Sequence, residues 1–134
     1  MSRTGSRIPA IGVMGKTASR SLVAFDESEV STTSTSSTLI KEFRLAKLST
    51  VGNDWKKLIV LSECYNDTSG QTTYFEIYID GNLKDTIEYS ENTYTLKGTE
   101  IDISGLADGV HLVEFKLKVS GGTGYNRLVE AWVE

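Results

Sequence analysis

The feature of this sequence that most constrains its fold is a succession of short segments in which apolar and polar residues alternate. The clearest is Thr72–Asp80, where Phe75, Ile77 and Ile79 occupy every second position. This spacing places one row of side chains on each face of an extended chain, as in a half-buried β-strand. The Asp-Gly-Asn sequence that follows predicts a tight hairpin turn, because glycine accepts a positive φ.

Segments of the same kind recur through residues 39–134, with turn residues about every ten positions. The predicted strands are Leu39–Leu48, Trp55–Tyr65, Thr72–Asp80, Leu83–Tyr89, Tyr94–Ile103, Val110–Val119 and Tyr125–Val133. No segment shows a helical period over about eleven residues, so a parallel sheet with crossover helices is excluded. The pattern predicts an all-β, jelly-roll-like antiparallel β-sandwich of about seven or eight strands, with an extended N-terminal arm.

One predicted strand, Trp55–Tyr65, is apolar at consecutive positions from Leu58 to Leu61. A half-buried strand alternates, whereas a strand with apolar surroundings on both faces does not. The segment therefore predicts either a central strand covered on both sides or a strand that crosses between the two sheets.

The first 38 residues are predicted to form an extended arm, and residues 39–134 to form the sandwich domain. Residues 1–20 contain four basic residues and no acidic residue, so they carry +4 and the remaining 114 residues carry −8. The predicted assembly arm combines these basic residues with three apolar ones: Arg3, Arg7, Ile8, Ile11, Val13, Lys16 and Arg20. In the Ser/Thr-rich stretch Ser31–Thr38, β-branched threonines predict an extended edge strand or a long exposed loop.

The charge difference between arm and body has three interpretations. The first is a solvated tail with incidental charge, and the second is docking on an acidic neighbour, including another copy of the chain. The third is nucleic acid binding, which four charges without interleaved aromatic residues support only weakly. Nucleic acid is therefore not among the predicted partners.

The sequence predicts neither a membrane-spanning helix nor a secretory signal peptide. No apolar stretch approaches the roughly 18 residues of a spanning helix, and Pro9 and Gly12 interrupt the apolar residues near the N-terminus. Cys64 is the single cysteine, which excludes a disulfide within the chain. Its place in an apolar strand segment predicts a buried side chain.

Residues that carry most enzyme chemistry are sparse, so the chain is predicted not to be an enzyme. His111 is the single histidine, and no serine or cysteine context resembles an activated nucleophile. The acidic residues alternate outward along strands, as on solvated faces, rather than pairing as in a glycoside hydrolase. The glycine-rich loop at residues 121–124 lacks the following helix that would aim N–H groups at a phosphate.

Oxygen-bearing side chains occur in several predicted turns, at Asn66, Asp67, Asp80, Asn82 and Asp108. Such residues bind calcium when they are dense along one loop, but they are also common turn residues for backbone reasons. No catalytic residue, no metal ligand and no cofactor is therefore predicted, and a structural calcium ion is kept as a lower-ranked alternative.

Aromatic side chains are the strongest candidates for a binding surface. The candidate ligand or interface residues are Tyr74, Tyr78, Tyr89, Trp55 and Tyr125. The first three are predicted to share one outward face of a hairpin, and the other two lie near strand ends. Aromatic rings stack on sugars, anchor protein interfaces and fill cores, and the sequence leaves these three roles open.

Two stretches resemble known families. The segment Tyr74–Val119, with its Ile-Asp-Gly hairpin and its Asp-Gly-Val-His turn, resembles a recurring part of jelly-roll carbohydrate-binding modules and related galactose-binding-like domains. The segment Ser28–Leu45 is similar to segments of virion-associated and tail-associated β-sandwich proteins of phages and archaeal viruses. The first resemblance implies a jelly-roll fold with ligand-binding aromatic residues on loops or on one concave face, and no individual binding residue is carried over from it.

Together these observations predict a non-enzymatic structural or assembly protein, a small virion component such as a capsid decoration, minor capsid or tail-associated subunit. It would be made in the host cytoplasm and act in the virion. Residues 1–25 would add extended backbone to an exposed sheet edge of a neighbouring subunit. The expected partners are other protein subunits, in a homo-oligomer or a capsid lattice, without nucleic acid and without membrane insertion. The alternative function is a carbohydrate-binding module or adhesion domain, whose partner is a glycan.

Overall fold

Extended segments dominate the structure, as the alternation in the sequence predicts. The computed structural model describes residues 20–134, and within them lie nine β-strands, one turn of 3-10 helix at Ser49–Val51 and no α-helix. The strands are β1 (Ser21–Asp26), β2 (Val30–Thr32), β3 (Thr38–Lys47), β4 (Lys57–Asn66), β5 (Thr73–Ile79), β6 (Asn82–Tyr89), β7 (Thr95–Asp102), β8 (Gly109–Val119) and β9 (Gly124–Val133). In this part of the chain no helix is long and apolar enough to cross a membrane.

The strands form two antiparallel sheets that pack face to face, which confirms the predicted β-sandwich. The five-stranded sheet has the order β1-β9-β4-β7, and β2 also pairs with β9. The four-stranded sheet has the order β3-β8-β5-β6. Sequence neighbours are mostly separated within each sheet, so most pairings join distant parts of the chain.

The sandwich includes two strands from the segment that the sequence assigns to the arm. Phe25 of β1 pairs with Glu130 of β9, and Ser31 of β2 pairs with Tyr125 of the same strand. Lys41 holds this segment in place, because its buried Nζ donates to the backbone oxygens of Asp26 and Ser28, at 3.1 and 2.9 Å. Burial lowers the pKa of Lys41, and these acceptors offset the desolvation of its charge. The observed sheet thus begins at residue 21 rather than 39.

The other predicted arm residues lie outside the described part of the chain. They are Arg3, Arg7, Ile8, Ile11, Val13 and Lys16. Arg20, the last predicted arm residue, directly precedes β1 and lies 3.7 Å from Glu134 in an exposed ion pair (Nη2 to Oε2).

The core between the sheets is formed by every second residue of the long strands. Phe75 of β5 and Phe115 of β8 are fully buried, and their ring centroids lie 5.4 Å apart. Cys64 of β4 is also fully buried, which confirms its predicted place, and burial raises the pKa of its thiol to about 11. Trp55 packs, partly buried, against the same core.

Strand β4 lies between β9 and β7, so it is a central strand and does not cross between the sheets, but only one of its two faces packs against the other sheet rather than both. Leu58 and Val60 point into the core with no exposed surface. Ile59 and Leu61 therefore point to the opposite side of the five-stranded sheet. No second layer of the described residues covers that side.

The β5–β6 hairpin turns where the sequence predicts it, at Asp80 and Gly81, which have φ values of 51° and 83°. An irregularity between Ile77 and Tyr78 shifts the register, so that Tyr78 pairs with Leu83. Leu83 consequently lies on the outer face with Tyr78, half exposed, while Ile87 stays on the core face.

Candidate functional site

Tyr74 and Tyr78 point outward from β5, as the alternation predicts, and lysine side chains from β8 lie over both rings. The Nζ atom of Lys116 is 4.2 Å from the centroid of Tyr78, and that of Lys118 is 5.6 Å from the centroid of Tyr74. Tyr74 pairs directly with Lys118, whereas Tyr78 pairs with Glu114 and meets Lys116 diagonally across the two strands. Both rings are thus partly covered by cations rather than left as bare stacking platforms.

A shallow groove lies beside Tyr74 on this outer face and is here named the tyrosine groove. Its volume is about 580 Å³, and it is lined by Thr35, Tyr74, Glu76, Leu83, Thr86, Glu88, Lys118, Val119 and Ser120. Glu76 is only 3% exposed, accepts a hydrogen bond from the Ser37 hydroxyl and lies 3.5 Å from Lys118 Nζ. The lining of the groove thus combines carboxylate and hydroxyl side chains with one aromatic residue.

The other predicted aromatics do not join this groove. Tyr89 was expected on the same outward face, but it is fully buried, and its hydroxyl donates to the Ser62 carbonyl at 2.7 Å. Trp55 belongs to the margin of the core. Tyr125 lies on the five-stranded sheet, on the opposite side of the sandwich.

Tyr125 belongs to a second aromatic cluster that the sequence did not predict. Its ring stacks on Tyr65 with centroids 4.8 Å apart, and Tyr65 meets Tyr94 edge to face at 4.6 Å. Arg127 lies over Tyr94 at 4.0 Å and donates from Nε to Glu63 Oε1 at 2.6 Å. The Tyr94 hydroxyl is tied to Glu29 at 2.6 Å, and burial, together with this carboxylate, raises its pKa. Most polar groups of the cluster are therefore already paired, so it stabilises the end of the sheet.

His111 has acceptors on both ring nitrogens. Its Nδ1 lies 2.6 Å from Asp80 Oδ2, and its Nε2 lies 2.7 Å from the Ala107 carbonyl oxygen. A carbonyl and a carboxylate can only accept, so this geometry favours the doubly protonated, charged ring. The hydrogen bond to Asp80 accordingly raises the pKa of His111 and lowers that of Asp80. This arrangement joins the β5–β6 turn to the β7–β8 loop.

The loop oxygens considered as calcium ligands are engaged by donors of the chain. Asp80 accepts from Leu112 N as well as from His111, Asp108 accepts from the Ser49 amide and hydroxyl, and Asp67 accepts from Thr123 N. Across residues 20–134, no three His, Cys, Asp or Glu side chains are grouped so as to hold a metal ion.

A buried ammonium group lies where backbone oxygens converge near the β7–β8 loop. Lys47 is 2% exposed, and its Nζ donates to the carbonyl oxygens of Ile103, Ser104 and Leu106 at 2.8, 3.3 and 2.9 Å. Asp54 lies 3.9 Å away and adds a carboxylate. The ammonium group of Lys47 thus balances the partial negative charges of these carbonyl oxygens, and they replace the water that the buried charge has lost.

The outer face of the five-stranded sheet carries a continuous apolar surface, here named the apolar outer face. It consists of Leu22 on β1, Trp132 on β9, Ile59 and Leu61 on β4, and Leu96 on β7. Leu22 pairs with Trp132 and Trp132 pairs with Ile59, so these three side chains form one row across the sheet. Leu61 extends over Gly98, where a Cβ atom would come within 2.5 Å of Leu61 Cδ2.

Comparison with known proteins identifies a shared fold. No family model and no curated protein matches this chain. Among solved structures, a family 35 carbohydrate-binding module from Clostridium thermocellum superimposes with a TM-score of 0.50 at 12% identity, over 85% of this chain and 98% of that one. The chain has a carbohydrate-binding-module-like jelly-roll fold.

Two further solved structures are similar over most of the jelly roll. The C-terminal, sugar-binding domain of EclA has a TM-score of 0.48 at 11% identity, over 82% of this chain and 81% of that one. A structure of the infectious bursal disease virus Gt strain has a TM-score of 0.47 at 15% identity and covers 94% of this chain. The matched part is 36% of that viral chain.

Proposed function

We propose that this chain is a non-enzymatic jelly-roll subunit of a larger assembly, a small virion component that joins its neighbours through residues 1–19. One observation carries this proposal. Residues 1–19 lead directly into β1, an edge strand whose first residue, Ser21, pairs with Val133 at the end of the sheet. Residues 1–19 therefore join the domain at a border strand of the sheet, which supports the proposal that they contact another subunit.

Charge supports association between copies. Residues 1–19 contain three basic and no acidic residues, whereas residues 20–134 contain all 18 acidic and 11 of the 14 basic residues, a net charge of −7. Opposite charges on the two parts of one chain favour contact of the segment with a neighbouring body. Because β1 itself pairs with β9 of the same chain, the exchanged segment is confined to residues 1–19 rather than the predicted 1–25.

Truncation tests this proposal directly. The full chain and a chain beginning at Arg20 would be compared by light scattering and by far-ultraviolet circular dichroism. We expect the full chain to assemble, and the truncated chain to stay folded but monomeric. Assembly should weaken with added salt, because it depends on charge. Equal assembly of both chains would refute a role for the segment.

Two matched sets of substitutions separate the contributions of charge and apolar contact. One replaces Arg3, Arg7 and Lys16 with glutamine, and the other replaces Ile8, Ile11 and Val13 with serine. We expect only the first set to abolish the dependence on salt, and both sets to weaken assembly. Mass spectrometry of purified particles would test the virion location, and absence of the chain from them would contradict it.

The tyrosine groove favours carbohydrate recognition as a second candidate function. Glu88 and Tyr74 offer a carboxylate and a ring to a hydroxyl-rich ligand. A glycan array probed with the wild type and with Tyr74→Ala and Tyr78→Ala variants tests it. Signal that is lost in both variants and kept in Leu96→Ala, on the opposite sheet, would support binding at this face. A blank array for the wild type would refute it.

A further inference from the structure

The apolar outer face has no protein layer over it among residues 20–134. Leu22 and Leu96 at its two margins are 48% and 56% exposed, whereas Ile59 at its centre is 8% exposed. The outer face of the four-stranded sheet differs, because lysine and glutamate side chains of β8, including Lys116 and Glu114, alternate across it. A continuous apolar surface of this kind marks an interaction site on a soluble domain.

We propose that the apolar outer face receives residues 1–19 of a neighbouring copy of this chain. This inference rests on the proposed function, since it names the receiving surface for the segment through which the subunits assemble. The apolar contacts would come from Ile8, Ile11 and Val13, packed against Trp132, Leu61 and Leu96.

Residues 1–19 are long enough to cross the apolar outer face of a neighbouring copy. Fully extended, 19 residues span roughly 63 Å, whereas the four strands from β1 to β7 extend about 15 Å across the sheet. Ile8 to Val13 cover about 17 Å when extended, which is similar to the roughly 15 Å width of the four strands.

Glutamates on the same side of the sheet complement the charge of the segment. Three glutamates, Glu63, Glu100 and Glu130, lie among the apolar residues on β4, β7 and β9. Arg127 and Lys57 pair with the first two, while Glu130 accepts a hydrogen bond from the Trp132 indole at 3.0 Å. The carboxylate of Glu130, at the middle of the sheet, is therefore placed to meet Arg7 or Lys16.

The direction of β1 assigns the segment to a neighbour rather than to its own face. β1 runs from Ser21, opposite Val133, to Asp26, opposite Val129. A segment that continued the direction of β1 beyond Arg20 would pass the end of the sheet and move away from Leu61 and Leu96. Covering its own face requires a reversal of the chain, whereas reaching a neighbouring copy does not.

Charged substitutions test the receiving surface in the full-length chain. Leu96→Lys removes an apolar contact and adds a charge that repels the segment, and Leu83→Lys makes the same change at a 50% exposed leucine on the other sheet. We expect Leu96→Lys to raise the concentration needed for half-maximal assembly at least tenfold in light scattering, and Leu83→Lys to leave it unchanged. Circular dichroism confirms that both variants are folded.

The outcomes separate this inference from the proposed function. If truncation of residues 1–19 abolishes assembly while Leu96→Lys and Leu22→Lys do not change it, the proposed function stands and the receiving surface is wrong. If truncation has no effect, or if the full-length chain is monomeric at every concentration, both are wrong. Loss of assembly in Leu83→Lys to the same degree as in Leu96→Lys would also overturn the inference.

Cross-linking distinguishes a neighbour's face from the chain's own face. An Ile11→Cys chain is mixed with a Leu96→Cys chain under mild oxidation, while native Cys64 is fully buried and protected. We expect a disulfide-linked dimer containing both chains, identified by mass spectrometry of the joined peptides, and none with Leu83→Cys. A double variant, Ile11→Cys with Leu96→Cys, that gives only internally cross-linked monomer would overturn the assignment to a neighbour.

Discussion

The imidazole of His111 donates from Nδ1 to the carboxylate of Asp80 across 2.6 Å, and this contact links two loops at one end of the sandwich. The second ring nitrogen is held by the Ala107 carbonyl, so the charged ring is the form that fits. These contacts give the single histidine of the chain a structural role, and its protonation is therefore coupled to the stability of the fold.

Stability should depend on pH through this pair. The pKa of His111 is raised, so its contribution is full below about pH 6.5, its unfolded value, and is lost as the pH rises through the folded value. The pKa of Asp80 is lowered, so its contribution is present above about pH 3.9 and is lost as the pH falls through the folded value. We expect the pair to contribute up to about 1 kcal/mol between these limits, a value reduced for the 44% exposure of Asp80.

Urea unfolding of the wild type and His111→Gln from pH 3 to pH 10 measures this contribution. The difference in the free energy of unfolding should be greatest near pH 5 and should shrink at both ends. An Asp80→Asn variant should show the same profile. A difference that stays constant from pH 5 to pH 10 would show that the ring acts by packing alone.

Replacement of the buried Lys47 should destabilise the fold strongly. Lys47→Met keeps the length of the side chain but removes the charged donor to the carbonyl oxygens of Ile103 and Leu106, of which Ile103 keeps the hydrogen bond from the Leu106 amide. The lost charged hydrogen bonds and the acceptor left without a donor predict a loss of about 2–4 kcal/mol in chemical denaturation.

Lys56→Met is the matched control for this substitution. Lys56 pairs with Asp54 at 2.8 Å, but its side chain is 59% exposed, so its removal should change the stability little. Equal effects of the two substitutions would mean that the oxygen ring does not depend on the Lys47 ammonium.

Removing the hydroxyl of Tyr89 tests whether this buried tyrosine specifies the core. The Tyr89 hydroxyl is hydrogen-bonded to the Ser62 carbonyl and hydroxyl, so Tyr89→Phe leaves buried polar atoms unpaired. We expect a loss of about 1–2 kcal/mol, measured by guanidinium unfolding. Tyr74→Phe, on the outer face, should leave the stability unchanged, and a similar loss in both variants would argue against a specific role for the buried hydroxyl.

The thiol of Cys64 should be unreactive in the folded protein. The side chain is fully buried and burial raises its pKa to about 11, so the thiolate that reacts with a disulfide reagent is scarce at pH 8. Labelling with Ellman's reagent should occur only at the rate at which the protein unfolds, and quickly in urea. Fast labelling in buffer alone would contradict the buried position.

Local alternation was sufficient to predict much of the fold. Tyr74 and Tyr78 could be placed on the outside because Phe75, Ile77 and Ile79 between and beside them fix the inward face of β5. The Asp80-Gly81 turn could be predicted from the backbone freedom that glycine provides. These features depend on residues that are adjacent in the sequence.

Features that depend on pairing between distant strands could not be predicted. Tyr89 was misplaced because burying a tyrosine requires a partner for its hydroxyl, and that partner, Ser62, lies on another strand. The Tyr65–Tyr125 stack likewise requires the register between β4 and β9. Extended backbone was predicted around β1 and β2, but their pairing within the chain was not, because their partner β9 is at the far end of the sequence.

The placement of β9 has a consequence for the order of events during synthesis. β9 follows all other described strands in the sequence, yet it is the partner of β1, of β2 and of β4. While β9 is still inside the ribosome, the nascent chain can form the four-stranded sheet. Strands β1 and β2 then have no partner strand to pair with. Pairing between strands that are distant in the sequence is slow, and the edge of β4 that pairs with β9 stays unpaired until β9 is available. We therefore expect the pairing of β9 to be the last step in completing the jelly roll.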